Sequence, residues 1–569
     1  MKIFSYSRLF STSSVVCLLF VSLFVISKES FAQTITINDE SLGTGTYNWT
    51  NNNTYVLDGF VYLESGGVLN IQAGTVIKAK ASPSSSDNAS ALIITVGARI
   101  EAEGTAEQPI IFTSEIDDLN ESADLTATDR GLWGGLILLG DGILGNTTVS
   151  SNIEGIPTTE TRAQFGGTNN ENNVGTLKYV SIRHGGTELS PGNEINGLTL
   201  GGVGSGTVVE HIEVFSNLDD GIEIFGGAVN IKNAAVAFCG DDGFDWDLGW
   251  VGNGQFWFVL QGSDAADNGG EWDGAKPDGN SIYSNPTVYN LTFIGSGTES
   301  VSANNTNAIL MRDATAGTVA NSIFTEYANK ALEIEDLPSA SGIDSYTRLQ
   351  NGEISLLNNL WYGFNTFTTL DANPNTGIIR FTTGGDDNSC TYLINHLTTN
   401  NNQISNPMLN SISRLPNGLL DPRPQVDSPA LLDLAASPVD AFFTAVDYKG
   451  AFDSVENNLW IDGWSALSEY GYLPTTTSVN ELYARSNSEI NLYPNPTSGV
   501  VFIELTNATV ETCKLEVYDL SGKLITEIGN KFQNGNRKVS WNTDALVPGV
   551  YLLKASTPSV VYSKPFIVQ

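Results

Sequence analysis

Two short stretches decide the fold of this chain: Asp219-Asp220-Gly221-Ile222-Glu223 and Asp241-Asp242-Gly243-Phe244-Asp245. The step from Gly221 to Gly243 is 22 residues, and the similar step from Gly197 to Gly221 is 24 residues. A repeat of this length is typical of one coil of a solenoid, whose coils stack at the spacing of neighbouring strands, about 4.8 Å. The sequence therefore predicts one long stack of coils, although a length of 569 residues would also fit several globular domains.

A strand-like pattern recurs along the body of the chain. Six segments alternate apolar with other residues and place Asn, His or Tyr third, and such alternation indicates β-strands. They are 177–182, 209–214, 231–236, 288–293, 319–324 and 357–362. A second strand is predicted at 197–200, 221–224, 243–246 and 308–311. The recurring Asn is expected to form an inward ladder at a turn. Leucine-rich repeats and propellers are the competing periodic folds, but the Leu/Asn template of the first is missing, and no Trp-Asp signature recurs at the blade period of about 40–45 residues that the second requires.

The start of the body supports this assignment through a resemblance. The segments GVLNIQAGTVIK (67–78), ARIEAEGT (98–105) and QPIIFTS (108–114) resemble the opening coils of pectate-lyase-like proteins. The resemblance implies an all-β fold, a right-handed parallel β-helix, which we assign to 33–473. A cap is expected near 448–473, where 460–467 would form a short helix over the open end of the solenoid and protect its strand edge.

The C-terminal part reads as a separate β module. The segments INLYPNPTSG (490–499), LEVYDLSGK (515–523) and LVPGVYLLK (546–554) resemble the C-terminal sorting domain of the Bacteroidetes type IX secretion system. The resemblance rests on Pro494, Asn495, Pro496, Gly499, Gly522, Lys523, Gly549 and Tyr551. It implies an Ig-like β-sandwich at 490–569, the type IX secretion machinery as partner, and a secreted or outer-surface location. Residues 474–489 are the predicted linker.

The N-terminus predicts a signal peptide over residues 1–32. Lys2 and Arg8 precede an apolar run at 15–26, and Ser30-Phe31-Ala32 is a small-x-small cleavage pattern. This run is shorter than the roughly 20 residues of a membrane span. No later segment is apolar enough to cross a bilayer, so no transmembrane segment is expected in the mature chain.

The charge of the body restricts its partners. The chain has a net charge of −36, whereas 1–32 carries +2 and 490–569 carries +1, so the body between them carries −39. A surface this acidic argues against nucleic acid or anionic lipid as a partner. It is compatible with divalent cations and equally with simple solubility.

The repeated acidic turn is the strongest candidate for a functional site. If the coils are in register, Asp220 stacks on Asp242 and Glu223 on Asp245, and carboxylates this close repel one another. Three interpretations remain open. The first is a Ca²⁺ site formed by Asp219, Asp220, Glu223, Asp241, Asp242 and Asp245, since hard oxygen ligands suit this ion. The second is solvated acidic turns with shifted pKa values. The third is a catalytic acid pair drawn from Asp220, Asp242 and Asp245.

The catalytic interpretation lacks supporting motifs. The Asp-Asp-Gly turns partly resemble those of polygalacturonase-type β-helix enzymes, but the Gly-His-Gly and Arg-Ile-Lys that such enzymes carry are missing here. A lyase would need a base, and Arg183, Arg312 and Lys330 are the candidates, with nothing in their spacing to select one. We therefore favour a non-catalytic, glycan-binding or adhesin-like surface protein. The alternative is an extracellular polysaccharide lyase or glycoside hydrolase on the same scaffold.

Aromatic residues crowd the coil next to the acidic turns. Most are expected in the core, because alternate residues of a strand point inward. Trp250, Trp257 and Trp272 are the ones expected at the surface, where indole faces would stack on sugar rings.

Overall fold

The computed structural model describes residues 33–119, 124–190, 193–298, 300, 307–338, 342–382, 385–454, 458–474, 489–506, 513–519, 523–532, 538–556 and 561–569. The chain divides into two compact units, Met1–Pro474 and Thr475–Gln569. The predicted signal peptide and nearly all of the predicted linker lie outside the described residues.

Two long sheets of parallel strands build the first unit, which confirms the predicted parallel β-helix. The ten-stranded sheet contains Phe60–Leu63, Ala91–Ile94, Leu136–Leu139, Leu198–Gly201, Ile222–Phe225, Phe244–Asp247, Gly270–Asp273, Asn307–Arg312, Lys330–Ile334 and Ile379–Phe381. The eighteen-stranded sheet contains Gln33–Ile37, Thr46–Trp49, Asn53–Leu57, Val68–Ile71, Val76–Ala79, Arg99–Glu103, Ile110–Ser114, Gly175–Arg183, Val208–Phe215, Asn230–Ala237, Asn253–Leu260, Thr287–Tyr289, Thr292–Ile294, Gly317–Ala320, Ile323–Thr325, Ile354–Leu357, Leu360–Tyr362 and Gln403–Ile404.

The interior is filled by columns of apolar side chains that the coil register stacks on one another. In one column of the ten-stranded sheet, Leu200 pairs with Ile224, Ile224 with Trp246, and Trp246 with Trp272. All of them are buried in the main core. Burying one such side chain stabilises a fold by about 1.5–3 kcal/mol, so each added coil extends a continuous core.

The third residue of the recurring strand pattern marks a bend rather than an inward ladder. His211, Asn233, Asn290, Asn321 and Asn358 all have left-handed backbone, with φ between 52° and 61°. Asn is the residue that tolerates this conformation best after glycine. The side chains of the last three donate outward, to the carbonyls of Tyr448, Ala435 and Asp433. The predicted turn is confirmed. The predicted inward direction is wrong, because residues 433–454 and 458–473, which we call the covering segment, lie against the outer face of the sheet and accept these hydrogen bonds.

The segment that ends the body lies along the side of the β-helix, not over its open end. The short helix Ala466–Glu469 exists, but its first backbone N–H groups donate to Glu213 of a middle strand. Phe258 of that sheet packs against Phe452 with ring centroids 5.1 Å apart. The expected end cap is therefore wrong, because the outer face of the sheet is itself apolar here and needs a cover.

The other short elements of this unit are helices and hairpins between coils. The helices are Asp39–Ser41, Thr161–Ala163, Ser345–Gln350, Asp387–Thr399 and Pro429–Leu431. The antiparallel strand pairs are Ser151–Asn152 with Gln164–Phe165, Glu188–Ser190 with Asn193–Glu194, and Leu409–Ser411 with Asp421–Pro424.

The second unit consists of two antiparallel sheets that share one core. One sheet contains Glu489–Tyr493, Val500–Thr506 and Lys538–Asn542. The other contains Leu524–Phe532, Cys513–Asp519, Gly549–Ser556 and Val561–Val568. Ile503 of the first sheet is buried with Val517, Leu553 and Phe566 of the second. This is the sandwich that the sequence predicts.

Candidate functional site

The coil register brings the two acidic turns together as predicted. Strand Ile222–Phe225 pairs in parallel with Phe244–Asp247, and Glu223 lies opposite Asp245. We call the six residues Asp219, Asp220, Glu223, Asp241, Asp242 and Asp245 the acidic ladder. Because a parallel register repeats each position at the strand spacing, identical turns place like charges side by side.

Asp220 and Asp242 connect successive coils through their side chains. Oδ1 of Asp220 accepts a hydrogen bond from the backbone N–H of Asp242 at 2.9 Å. Oδ1 of Asp242 accepts the backbone N–H of Asn268, one coil further on. The two residues are 8% and 4% exposed. Their first role is thus to join coils, and little of either carboxylate faces solvent.

Glu223 and Asp245 form a second row on the outward side of the same strands. The side-chain amide of Asn196 donates to Glu223. Oδ1 of Asp245 is a buried atom without a hydrogen-bond partner. Glu271 extends the row and pairs with Arg312, which also donates to Asp273 at 2.8 Å. The nearest guanidinium is therefore already engaged by carboxylates outside the ladder.

Burial and mutual repulsion make the ladder hard to ionise. Burial raises the pKa of Asp220, Glu223, Asp242 and Asp245 well above the ordinary carboxyl range. Neighbouring carboxylates raise each pKa further, since a like charge disfavours the charged form. The ladder holds either shared protons or a cation.

The geometry suits a hard divalent cation. Asp220, Glu223 and Asp245 each offer a carboxylate oxygen, and these atoms lie within 4.8 Å of one another. Asp219, Asp220 and Asp241 form a second such group on the more exposed side. Ca²⁺ accepts 6–8 oxygen ligands in flexible geometry, so carboxylates and water together would complete its shell.

The expectation that three tryptophans are exposed is wrong. Trp250, Trp257 and Trp272 are all fully buried. The indole N–H groups of Trp250 and Trp257 donate to backbone carbonyls at 3.0 Å, and Trp272 stacks on Trp246 at 4.1 Å. Their faces fill the interior of the β-helix, so they offer no sugar-stacking surface.

Two of the basic residues considered for a lyase lie in buried contacts. Arg183 is fully buried and pairs with Glu469 at 2.7 Å, beneath the covering segment. Lys330 is buried and donates to the carbonyl of Gly377 at 2.6 Å. Of the three, only Arg312 adjoins the row of Glu223, Asp245 and Glu271. Burial lowers its pKa, but its carboxylate partners outweigh this effect and the pKa is raised, so Arg312 is a poor base.

Sequence reasoning missed a cavity beside the last coils. It has a volume of about 660 Å³ and an exposed aromatic side chain, Tyr362, in its wall. We call it the Tyr362 cavity. Its described lining is Thr298, Thr325, Glu326, Tyr362, Gly363, Phe364, Asn365, Phe367, Thr368, Ile404, Asn406, Pro407, Leu409 and Ile412. The one signal in the sequence was Tyr362 itself, an aromatic residue at the outer end of a strand.

The sorting-motif residues cluster at one end of the second unit. Pro494, Asn495 and Pro496 follow the first strand, and Oδ1 of Asn495 accepts the N–H of Ile567 at 2.8 Å. Gly549 begins a strand in which Tyr551 donates its hydroxyl to Val547 at 2.8 Å. The carbonyl of Gly499 accepts a hydrogen bond from Thr543, Lys523 is exposed, and Gly522 lies outside the described residues.

Comparisons with protein families agree with both units. Residues 43–391 match the pectate-lyase like beta helix domain, and residues 491–569 match the secretion system C-terminal sorting domain. No curated protein and no solved structure matches the chain. The sorting domain supports export through the type IX system to the cell surface or beyond. In the described part of the chain, no helix is long and apolar enough to span a membrane.

Proposed function

The chain belongs to the pectate-lyase-like β-helix family, and from this premise we propose that it is an exported surface protein that binds a neutral glycan without cleaving it. The observation that carries the proposal is the Tyr362 cavity. Its 660 Å³ lies within the range of about 300–1,000 Å³ that is common for small-ligand sites.

The wall of the cavity has the mixed chemistry that a sugar requires. Tyr362 is 41% exposed and presents a ring to the apolar face of a sugar. The amides of Asn365 and Asn406 and the hydroxyl of Thr298 supply hydrogen-bonding groups in the same wall. Phe367 is fixed by the ammonium group of Lys330, which lies 3.5 Å from its ring centroid.

The charges in the wall favour a neutral ligand and binding without cleavage. Glu326 is the one carboxylate among the described lining residues, and it pairs with Arg414 at 2.9 Å. Glycosidases of the common kinds need two carboxyl groups flanking the bond that is cleaved. A single carboxylate neutralised by an arginine supplies neither the acid nor the base.

Calcium in the acidic ladder is the second part of the proposal. The three converging oxygens and the unpartnered Oδ1 of Asp245 support it. Cleavage at the ladder by a lyase or hydrolase is the weaker alternative. Asp220 and Asp242 would have to reach a substrate, whereas both are buried and accept backbone N–H groups.

A glycan array followed by calorimetric titration of the best ligand tests the binding site. We expect Tyr362→Ala to weaken binding about two- to tenfold, because an aromatic contact contributes about 0.5–1.5 kcal/mol. Tyr362→Phe should retain most of the affinity. The matched control is Tyr392→Ala, which removes a similarly exposed tyrosine from helix Asp387–Thr399.

Two results would contradict the proposal. Equal affinity of Tyr362→Ala and the wild-type chain would exclude the Tyr362 cavity as the site. New reducing ends or unsaturated products from a polysaccharide panel would exclude binding without cleavage.

A further inference from the structure

Three carboxylates outside the acidic ladder converge at one edge of the ten-stranded sheet. Asp313 and Glu335 directly follow the neighbouring strands Asn307–Arg312 and Lys330–Ile334. Asp278 lies in the loop after Gly270–Asp273, the strand on the other side of Asn307–Arg312. Parallel strands end at the same edge, so three coils each contribute one side chain. Their carboxylate oxygens lie within 4.8 Å of one another.

Glu335 is the member that needs a ligand. It is 7% exposed, and its Oε2 is a buried atom without a hydrogen-bond partner. Burial and then the charges of Asp313 and Asp278 raise its pKa to about 7, although backbone hydrogen bonds from Ala314 and Asp313 oppose the rise. A buried carboxylate oxygen with no partner is costly, and native structures rarely leave one.

Side-chain cations do not neutralise this group. Lys276 pairs with Asp247 at 2.7 Å, and Arg312 donates to Asp273 at 2.8 Å. Among the residues that the structure describes, no side-chain nitrogen of Lys, Arg or His lies within 4 Å of a carboxylate oxygen of Asp278, Asp313 or Glu335. The charges of Arg312 and Lys276 act on Asp313 from a distance, but both side chains are engaged by other carboxylates and neither forms a salt bridge with the three.

We propose that Asp278, Asp313 and Glu335 bind a divalent cation, Ca²⁺, in a site separate from the acidic ladder. All three ligands are hard carboxylate oxygens. Carboxylates bind Ca²⁺ in a monodentate or bidentate manner, and water completes the coordination shell. The ligands come from three independent turns, and this suits Ca²⁺, whereas Mg²⁺ requires near-ideal octahedral geometry. The site joins three coils at a sheet edge, so its occupation stabilises their stacking.

Calorimetric Ca²⁺ titration of the metal-stripped full chain tests the site. We expect Glu335→Gln to lose one bound Ca²⁺ per chain, and Asp278→Asn to weaken that site about tenfold or more by removing a charged ligand. Glu171→Gln, which neutralises an exposed carboxylate in a distant loop, should titrate like the wild-type chain.

A variant of the acidic ladder distinguishes Ca²⁺ binding at the ladder from Ca²⁺ binding at the Glu335 site. Asp245→Asn should leave the Glu335 site intact, so a loss confined to that variant concerns only the ladder. An unchanged stoichiometry and affinity in Glu335→Gln would overturn the proposal. If Glu335→Gln does not fold, as judged by circular dichroism, unchanged Ca²⁺ binding by Asp278→Asn would overturn it instead. Equal affinity for Mg²⁺ would overturn the assignment to Ca²⁺.

Discussion

The substitution Asp220→Asn separates the two roles of the acidic ladder, because it removes a charge and keeps an oxygen. An asparagine Oδ1 can still accept the N–H of Asp242, which now lies 2.9 Å from the carboxylate. The oxygens of Asp220, Glu223 and Asp245 lie within 4.8 Å, and two unit charges at that distance repel by about 3 kcal/mol at an effective dielectric of about 20. Partial protonation relieves some of this repulsion. We expect the metal-free variant to be more stable than the wild-type chain by about 1–3 kcal/mol at pH 8.

Calcium should reverse the sign of this effect. A ligand at one hundred times its Kd stabilises the folded state by about 2.7 kcal/mol, and Asp220→Asn removes one of its charged ligands. For a unit of about 440 residues, unfolding entropy of about 2 cal/mol/K per residue means that 1 kcal/mol shifts the Tm by about 1 °C. From the expected 1–3 kcal/mol, Asp220→Asn should melt about 1–3 °C above the wild-type chain in chelator. In saturating Ca²⁺ it should melt below the wild-type chain.

Differential scanning calorimetry in chelator and in Ca²⁺ measures the Tm difference between Asp220→Asn and the wild-type chain, which should be positive in chelator and negative in Ca²⁺. Asp220→Ala is the control for the hydrogen bond and should lower the Tm in both buffers, because the N–H of Asp242 loses its acceptor. Asn268→Asp extends the row of carboxylates by one coil and should lower the Tm in chelator. A lower Tm of Asp220→Asn in chelator would refute the repulsion argument. An equal Ca²⁺-induced shift in the variant and the wild-type chain would refute the calcium argument.

Two further predictions concern pH and the covering segment. Burial raises the pKa of Asp273 and Glu335 to about 7, so the folded chain holds these protons more tightly than the unfolded chain. Without metal, their contribution to stability is present below about pH 4 and is lost as pH rises through 7, about 4 kcal/mol for Asp273 and about 3 kcal/mol for Glu335. A fall in Tm between pH 5 and 8 would show this loss. A Tm that rises over this interval would contradict this. Glu213→Ala should cost about 2–4 kcal/mol, because the N–H groups of Ala466 and Leu467 lose a buried acceptor, and should speed proteolysis of 448–473. Glu213→Gln, which keeps an acceptor, should be milder, and equal proteolysis of both variants would contradict the role of Glu213.

The register of the two coils that carry the acidic turns could be predicted from the sequence. The turn repeats after 22 residues, and side chains alternate between the two faces of a strand, so few alternative pairings of the two strands remain. Glu223 opposite Asp245 follows directly from the repeated turn. The environment of the outer face could not be predicted in the same way. The alternation of side chains along a strand correctly places Phe256 and Phe258 on one face and Trp257 on the other. Phe256 and Phe258 pack on the outer face of the sheet, and Trp257 fills the interior of the β-helix. The alternation does not say that a segment two hundred residues later covers the outer face, so both faces of this strand are buried.

The proposed site at Glu335 could not be predicted from the spacing of residues either. The strands Asn307–Arg312 and Lys330–Ile334 pair with an offset of 23 residues, so the register continues to Arg312 opposite Glu335, and the 22-residue step from Asp313 to Glu335 gives no signal for this pair. Asp278 lies in an irregular loop, and no period places it beside the other two. Burial decides the chemistry of such a group, and burial depends on which loops fold over the sheet edge rather than on spacing.

The composition of the ladder argues that its charges have a use beyond joining coils. The backbone N–H of Gly197 donates to the carbonyl of Asp220, Gly243 to that of Asn268, and Gly269 to that of Asn307, so these positions form one column. Its members in chain order are Asn196, Asp220, Asp242, Asn268 and Asn307. Asparagine occupies three of the five positions, although Oδ1 of Asn196 and Oδ1 of Asn307 have no hydrogen-bond partner among the described residues. The hydrogen bond that Asp220 accepts from the backbone N–H of Asp242 needs only an oxygen. An aspartate in that column strengthens the hydrogen bond through its charge, but it also adds buried repulsion between neighbouring carboxylates. The two aspartates are adjacent, where repulsion is greatest and where a shared cation gains most. A structural role alone requires only an acceptor oxygen, which asparagine also offers, and the Asp220→Asn experiment decides between a purely structural role and a cation site.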